Sequence, residues 1–129
     1  MPQKRIENQK SKILVVDDHP TNLKLVSEVL ECAGYRILKA EDAEKAVQVI
    51  ERSKPDLILM DIALPGMDGL TLTRQLKAAP ETRDIRIIAL TASAMRGDEQ
   101  KALDAGCDGY ITKPIDTRRL PEQVAEYLE

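Results

Sequence analysis

At 129 residues the chain suits one domain with its own core, and 43% hydrophobic against 32% charged residues is an ordinary globular balance. A formal net charge of -3 argues against nucleic acid as a partner, because such binders carry a basic face. Apolar runs reach about four or five residues, far below the roughly 20 of a membrane-crossing helix, and the polar opening lacks the apolar stretch of a secretory signal.

With no Trp or Phe, the interior falls to Leu, Ile, Val, Ala and Met. Cys32 and Cys107 form no C-x-x-C pair and have no His-rich neighbourhood. They are expected to be small, buried or half-buried thiols in a reducing compartment. Cytoplasmic localisation is the expectation.

Residues 1–11, with Lys4, Arg5, Glu7 and Lys10, are expected to be a loose polar tail, a basic contact arm being the alternative. The domain is expected over 12–129. Ile13-Leu14-Val15-Val16 is a buried strand that ends in Asp17-Asp18. Pro20 then opens a helix carrying Leu23, Val26, Leu30 and Ala33, and Gly34 stops it. Tyr35 to Ala40 alternates, with Tyr35, Ile37 and Lys39 opposite Arg36 and Leu38, which suits a half-exposed edge strand. Asp42 is placed to cap a helix whose buried stripe is Ala43, Ala46, Val47 and Ile50.

Leu57-Ile58-Leu59-Met60 is apolar throughout, as in parallel strands covered on both faces. Asp61 follows at once, and Pro65-Gly66-Met67-Asp68-Gly69 marks a loop. A helix with Leu72 and Leu76 gives out near Ala79-Pro80, and residues 80–84 read as a surface loop. Ile85 to Leu90 is a further buried strand, ending in Thr91-Ala92-Ser93. The next helix, over 94–105, is poorly made: it contains Gly97, and its apolar face is little more than Met95, Ala102 and Leu103. Gly106 ends it. Gly109 to Thr112 is a short last strand before Lys113-Pro114. Asp116 is placed to cap the final helix, which begins nearer Leu120 with Pro121 in its first turn.

Five strands alternating with five helices predict right-handed crossovers and a doubly wound, flavodoxin-like parallel sheet of order 2-1-3-4-5. That order sets strands one and three side by side. Asp17 and Asp18, Asp61, Thr91 and Lys113 then all stand at carboxyl ends of strands, where open α/β sheets bind ligands. Alone, each has a plainer reading: an acid pair caps a helix, a Thr ends a strand, Lys-Pro turns the chain. Together they are harder to dismiss.

Three carboxylates in one pocket repel strongly and call for a cation. Oxygen ligands without His or Cys point to a hard ion such as Mg²⁺. The Lys113 ammonium and Thr91 hydroxyl suit phosphoryl oxygens. The set reads as a receptacle for one phosphoryl group, with one of the acids as nucleophile.

From about Lys12 to Leu128 the chain resembles the receiver domain of two-component response regulators. The resemblance rests on Val-Val-Asp-Asp, Asp61 with its Pro-Gly-Met-Asp-Gly loop, Thr91-Ala92, Gly109-Tyr110 and Lys113-Pro114. It implies a signalling phosphoacceptor, not an enzyme acting on other substrates, that promotes its own phosphorylation and dephosphorylation. Asp61 would take the phosphoryl group from a sensor histidine kinase or a histidine phosphotransfer protein. Asp17, Asp18 and Asp61, with the Ala63 main-chain carbonyl, would hold Mg²⁺, and Lys113, cis to Pro114, would pair with the phosphoryl oxygens. Thr91 would swing toward that group and Tyr110 would turn inward behind it, the plainer reading of Tyr110 being an aromatic cover for the edge strand. Ala63 and Ser93 would tune dephosphorylation. His19 is expected to lie beside the acids as a solvated helix-entry residue.

The fourth helix, fifth strand and fifth helix form the expected face for a downstream protein target. The expected whole is a single-domain regulator that acts by protein contact or in a phosphorelay, a receiver excised from a hybrid kinase being the alternative.

Other classes with this fold remain to be weighed. A haloacid-dehalogenase-like phosphatase spaces its acids one residue apart after strand one, whereas Asp17 and Asp18 are contiguous, and there is no room for a cap. A flavodoxin-like or nucleotide-binding module wants a Ser/Thr/Gly-rich loop or G-x-G-x-x-G where this chain has Asp-Asp-His-Pro. An adaptor that never takes a phosphoryl group would normally have a damaged acidic site.

Overall fold

The computed structural model describes residues 11–62, 69–91 and 97–128. Five strands, β1 (Lys12–Val16), β2 (Arg36–Ala40), β3 (Leu57–Asp61), β4 (Arg86–Thr91) and β5 (Gly109–Thr112), form one parallel sheet of order β2-β1-β3-β4-β5. They alternate with α1 (Pro20–Cys32), α2 (Ala43–Arg52), α3 (Gly69–Ala78), α4 (Asp98–Ala105) and α5 (Leu120–Leu128). This is the doubly wound order that the sequence predicts.

The apolar strands sort their side chains by the two-residue period. Ile13, Val15, Leu57, Leu59, Ile88 and Leu90 meet Leu23, Val26 and Leu30 of α1 and Leu120 and Val124 of α5. Leu14, Val16, Ile58, Met60, Ile87 and Ala89 meet α2, α3 and Ala102 of α4 on the other face. Burial on both faces explains why β1, β3 and β4 carry no alternation.

Local signals act as the residues dictate. Asp42 accepts the Lys45 N–H at 2.8 Å and caps α2. His19 is the N-cap residue of α1 and Pro20 its first helical residue. Gly34 and Gly106 follow α1 and α4 at φ 103° and 108°, in the left-handed region that ends helices without a Cβ penalty.

Several expectations need correction. β4 starts at Arg86, because the Ile85 N–H is taken by Thr82 O in the preceding turn, and it runs on through Thr91, opposite Thr112. β2 is an edge strand, but it is not one-sided: Ile37 packs toward α1, Leu38 toward α2, and Lys39 is exposed. Among the described residues α4 begins at Asp98, its core contacts are Ala102 and Ala105, and Leu103 is 44% exposed. Met95, which the sequence placed on that helix's apolar face, lies outside the described residues. Asp116 caps the turn before α5, accepting the Arg118 N–H on Oδ1 at 3.0 Å. As the sequence predicts, α5 begins at Leu120 with Pro121 in its first turn. Both cysteines are free, but Cys32 is exposed and only Cys107 is buried. Among the described residues no helix is long and apolar enough to cross a membrane.

The start of α3 approaches the end of β3 so closely that a Cβ on Gly69 would meet Asp61 O and, at 2.9 Å, Met60 Cγ. Backbone has no rotamer with which to yield. Gly69→Ala is therefore expected to cost about 1–3 kcal/mol, the usual penalty of overpacking. An unchanged urea midpoint would contradict this close approach.

Candidate phosphoacceptor site

Each polar residue of the site stands at or just past a strand end, tied by its backbone to a neighbouring strand or helix. The Asp17 N–H donates to Ala40 O at 3.2 Å, which carries the β1–β2 ladder one step past β1. Asp17 Oδ1 then accepts the His19 N–H at 2.9 Å, the local turn that launches α1. Asp61 is the last residue of β3, opposite Leu90. Thr91 ends β4, and its carbonyl accepts the Lys113 N–H at 2.7 Å just past β5. Lys113-Pro114 is cis, as the resemblance implies.

These ties bring two acids and one cation together. Asp17 is 1% exposed and Asp61 4%. The Lys113 ammonium donates to Asp61 Oδ2 at 3.2 Å and lies 3.9 Å from Asp17 Oδ2. The cation that the acid cluster calls for is thus supplied first by the chain itself. Burial pushes the Asp17 carboxyl up from its ordinary range, and the Asp61 charge adds to that, while the His19 N–H and Lys113 oppose it. Asp18 is half-buried, with its Oδ1 3.5 Å from His19 Nδ1. The His19 side chain is 70% exposed, so it is the solvated helix-entry residue expected.

The residues fit a hard cation. Asp17 Oδ2 is buried and has no hydrogen-bond partner among the described residues. Asp17, Asp18 and His19 offer ligand atoms within 4.8 Å of one another. Asp61, the third carboxylate of the expected set, is engaged by Lys113. The exposed imidazole adds a softer donor to two hard ones. Ala63 and Ser93 lie outside the described residues.

Thr91 is fully buried, and its Oγ1 has no hydrogen-bond partner among the described residues. The Tyr110 hydroxyl is therefore not bonded to it. Tyr110 is half-buried, its carbonyl accepts from Tyr127 Oη at 3.4 Å, and the Glu99 carboxylate beside its hydroxyl pushes the phenol up. Glu99 Oε2 also accepts from Thr112 Oγ1 at 3.4 Å. Nothing in the sequence marks Glu99, because its position over β5 depends on where α4 lands. An apolar groove lined by Val47, Ile50, Leu72 and Leu76 between α2 and α3 lies away from the acids.

A doubly wound sheet with buried acids and a lysine at its carboxyl rim is the architecture of a receiver domain. Residues 13–125 match the family of the response regulator receiver domain, and the chain belongs to that family. It is 40% identical over 116 residues to the polar-differentiation response regulator DivK of Brucella anthropi, covering 90% of this chain and 94% of that one. Among solved structures it resembles the receiver domain of sensor histidine kinase PA1611 from Pseudomonas aeruginosa, described with magnesium coordinated in its active-site cleft. The TM-score is 0.84 at 37% identity, over 92% of this chain and 97% of that one. The chemotaxis response regulator CheY4 of Vibrio cholerae gives a TM-score of 0.85 at 25% identity, over 91% and 98%. Receiver domains are signalling phosphoacceptors that bind Mg²⁺ at an acidic pocket and work with histidine kinases or phosphotransfer proteins and downstream targets.

The raised Asp17 carboxyl has a consequence for stability. The folded chain holds that proton more tightly than the unfolded chain does. The stabilising contribution is full below the ordinary value near 3.8 and is lost as pH rises through the raised folded value. Above that folded value the metal-free protein carries an ionised group whose charge burial disfavours. Asp17→Asn is expected to raise the melting temperature of the metal-free protein, by about 4 °C per kcal/mol relieved. It is also expected to abolish the stabilisation that Mg²⁺ gives wild type, about 2.7 kcal/mol at a hundredfold excess over Kd. Differential scanning calorimetry with and without Mg²⁺ checks both, and a less stable Asp17→Asn would refute the first.

Proposed function

We propose that Asp61 is the residue that receives the phosphoryl group, from a phosphohistidine of a sensor kinase or a histidine phosphotransfer protein. The observation that carries this reading is the Lys113 ammonium 3.2 Å from Asp61 Oδ2, on a carboxylate 4% exposed at the carboxyl end of a buried strand. An Asp61 oxygen attacks phosphorus, the nitrogen–phosphorus bond of the donor breaks, and the electron pair leaves with the imidazole. Phosphoryl transfer asks for positioning and charge neutralisation more than covalent help. Lys113, whose N–H is held by Thr91 O, is placed to leave Asp17 and Asp61 and to follow the incoming oxygens.

Asp17 and Asp18 are the carboxylates that would hold Mg²⁺, with Asp61 and the Ala63 carbonyl completing the set. Bound there, the ion would offset the carboxylate charge and polarise the phosphoryl oxygens. The Thr91 hydroxyl, buried without a partner among the described residues, is the donor we expect to turn to the new dianion, with Tyr110 following inward. The same groups would serve hydrolysis of the acyl phosphate. Residues 12–129 would form the receiver unit, acting in the cytoplasm. The output would pass through the face of α4, β5 and α5, where α4 is anchored by small side chains, to a downstream protein or a further relay step.

Intact mass after incubation with acetyl phosphate and Mg²⁺ tests the reading. Wild type is expected to gain one phosphoryl group and Asp61→Asn none. Lys113→Ala is expected to label about a hundredfold more slowly, as when one preorganised charge partner is removed. Labelling of Asp61→Asn at the wild-type rate would sink the assignment.

A further inference from the structure

We propose that Glu99 is a positioning residue that clamps the first turn of α4 to β5 and holds Tyr110 in its resting orientation. The inference rests on the reading of Thr91 and Tyr110 as a moving pair. It adds the group against which they move.

Tyr110 and Thr112 are two residues apart on β5, so their side chains leave the same face of the strand. That is the face under α4, because Tyr110 packs against the core layer that contains Ala102. One carboxylate serves the two residues: Glu99 Oε2 accepts from Thr112 Oγ1 at 3.4 Å, and the Glu99 charge is near enough to Tyr110 on the same face to push its phenol up. Thr112 is the register partner of Thr91, and the next residue along the chain is Lys113, whose ammonium sits on Asp61. The clamp therefore grips β5 directly beside the two groups that would respond to a phosphoryl dianion.

The charge on Glu99 is what suits it to this place. It is the second residue of α4, where the free N–H groups of the first turn favour an anion. A neutral side chain would gain nothing from the helix and would attract the two hydroxyls less. Apolar packing contributes little: among the described residues of α4, Ala102 and Ala105 are the buried ones and Leu103 is 44% exposed. Side chains that small remove little area from water. A polar contact on β5 then adds to the little that apolar packing supplies at the start of the helix. While it holds, the phenol stays turned to Glu99. When the contact lets go, the phenol is free to follow Thr91.

The test uses the full chain and its three tyrosines, Tyr35, Tyr110 and Tyr127. Ring ¹³C spectra of labelled tyrosine identify Tyr110 by its loss in Tyr110→Phe. In Glu99→Gln without a phosphodonor, the Tyr110 signals are expected to move while those of Tyr35 and Tyr127 stay. The direction expected is toward their position in wild type treated with acetyl phosphate and Mg²⁺. Labelling by acetyl phosphate is expected to quicken about threefold, the scale of one exposed charge-assisted contact. That gain is expected to vanish when Tyr110→Phe is the background. A Tyr110 ring unmoved by Glu99→Gln overturns the proposal, as does movement of all three rings together or a gain that persists in Tyr110→Phe. Should wild type gain no mass, the phosphoacceptor reading falls. The donor-free spectra still decide the clamp then, a shift of Tyr110 alone supporting it and no shift overturning it.

Discussion

Two buried carboxylates share one ammonium, and the rest of the site depends on that sharing. Charges of like sign about 4 Å apart repel by about 4 kcal/mol at the effective dielectric of a protein surface, and more where water is scarcer. Asp17 and Asp61 are nearly fully buried, so solvent does little to relieve them. Lys113 stands between, nearer Asp61 than Asp17, and leaves Asp17 Oδ2 buried without a hydrogen bond. The arrangement is stable enough to fold and poor enough to welcome a further cation. A site meant only for stability would have been better served by apolar residues of similar size.

The sheet makes this arrangement rigid. Asp17, Asp61, Thr91 and Lys113 come from four adjacent strands, and main-chain bonds past the strand ends hold two of them, Asp17 N to Ala40 O and Lys113 N to Thr91 O. Their mutual distances are set by strand spacing and register rather than by flexible loops. Gly69 belongs to the same device: its missing Cβ lets α3 start almost on top of Asp61 O. Helix start and strand end are fitted to each other at the residue that would be modified.

Most of the fold was legible in the sequence because burial on two faces leaves a plain mark. Runs such as Ile13 to Val16 and Leu57 to Met60 cannot be surface strands, and acids directly after them must stand at the carboxyl rim. What escaped notice depends on contacts between distant elements. The register that makes Thr91 a strand residue is fixed by Thr112, far along the chain. The exposure of Leu103 follows from the angle at which α4 meets the sheet, which helical periodicity does not specify. Lys113 could be placed at the rim from its own strand, but its division between two acids could not. Glu99 carried no signal at all, since an acid in a helix's first turn is commonplace. The phosphatase and nucleotide-binding alternatives gave way on local grounds, the contiguous acids and the missing phosphate loop, and family membership agrees with that outcome.

Resting and modified states of such a protein must differ by little, or no single group could convert one into the other. The chain meets that requirement by leaving polar groups imperfectly satisfied on both sides of β4 and β5. On the inner side Thr91 Oγ1 is buried with no partner among the described residues, and Asp17 Oδ2 is in the same condition. On the outer side Thr112 Oγ1 reaches the Glu99 carboxylate at 3.4 Å, the long end of hydrogen-bond distance, and the same carboxylate pushes the Tyr110 phenol up. A phosphoryl dianion at Asp61 would offer Thr91 and Lys113 better partners than they now have, while the outer contact is weak enough to be given up. Such an exchange of partners would carry a change of charge at Asp61 toward the surface of α4.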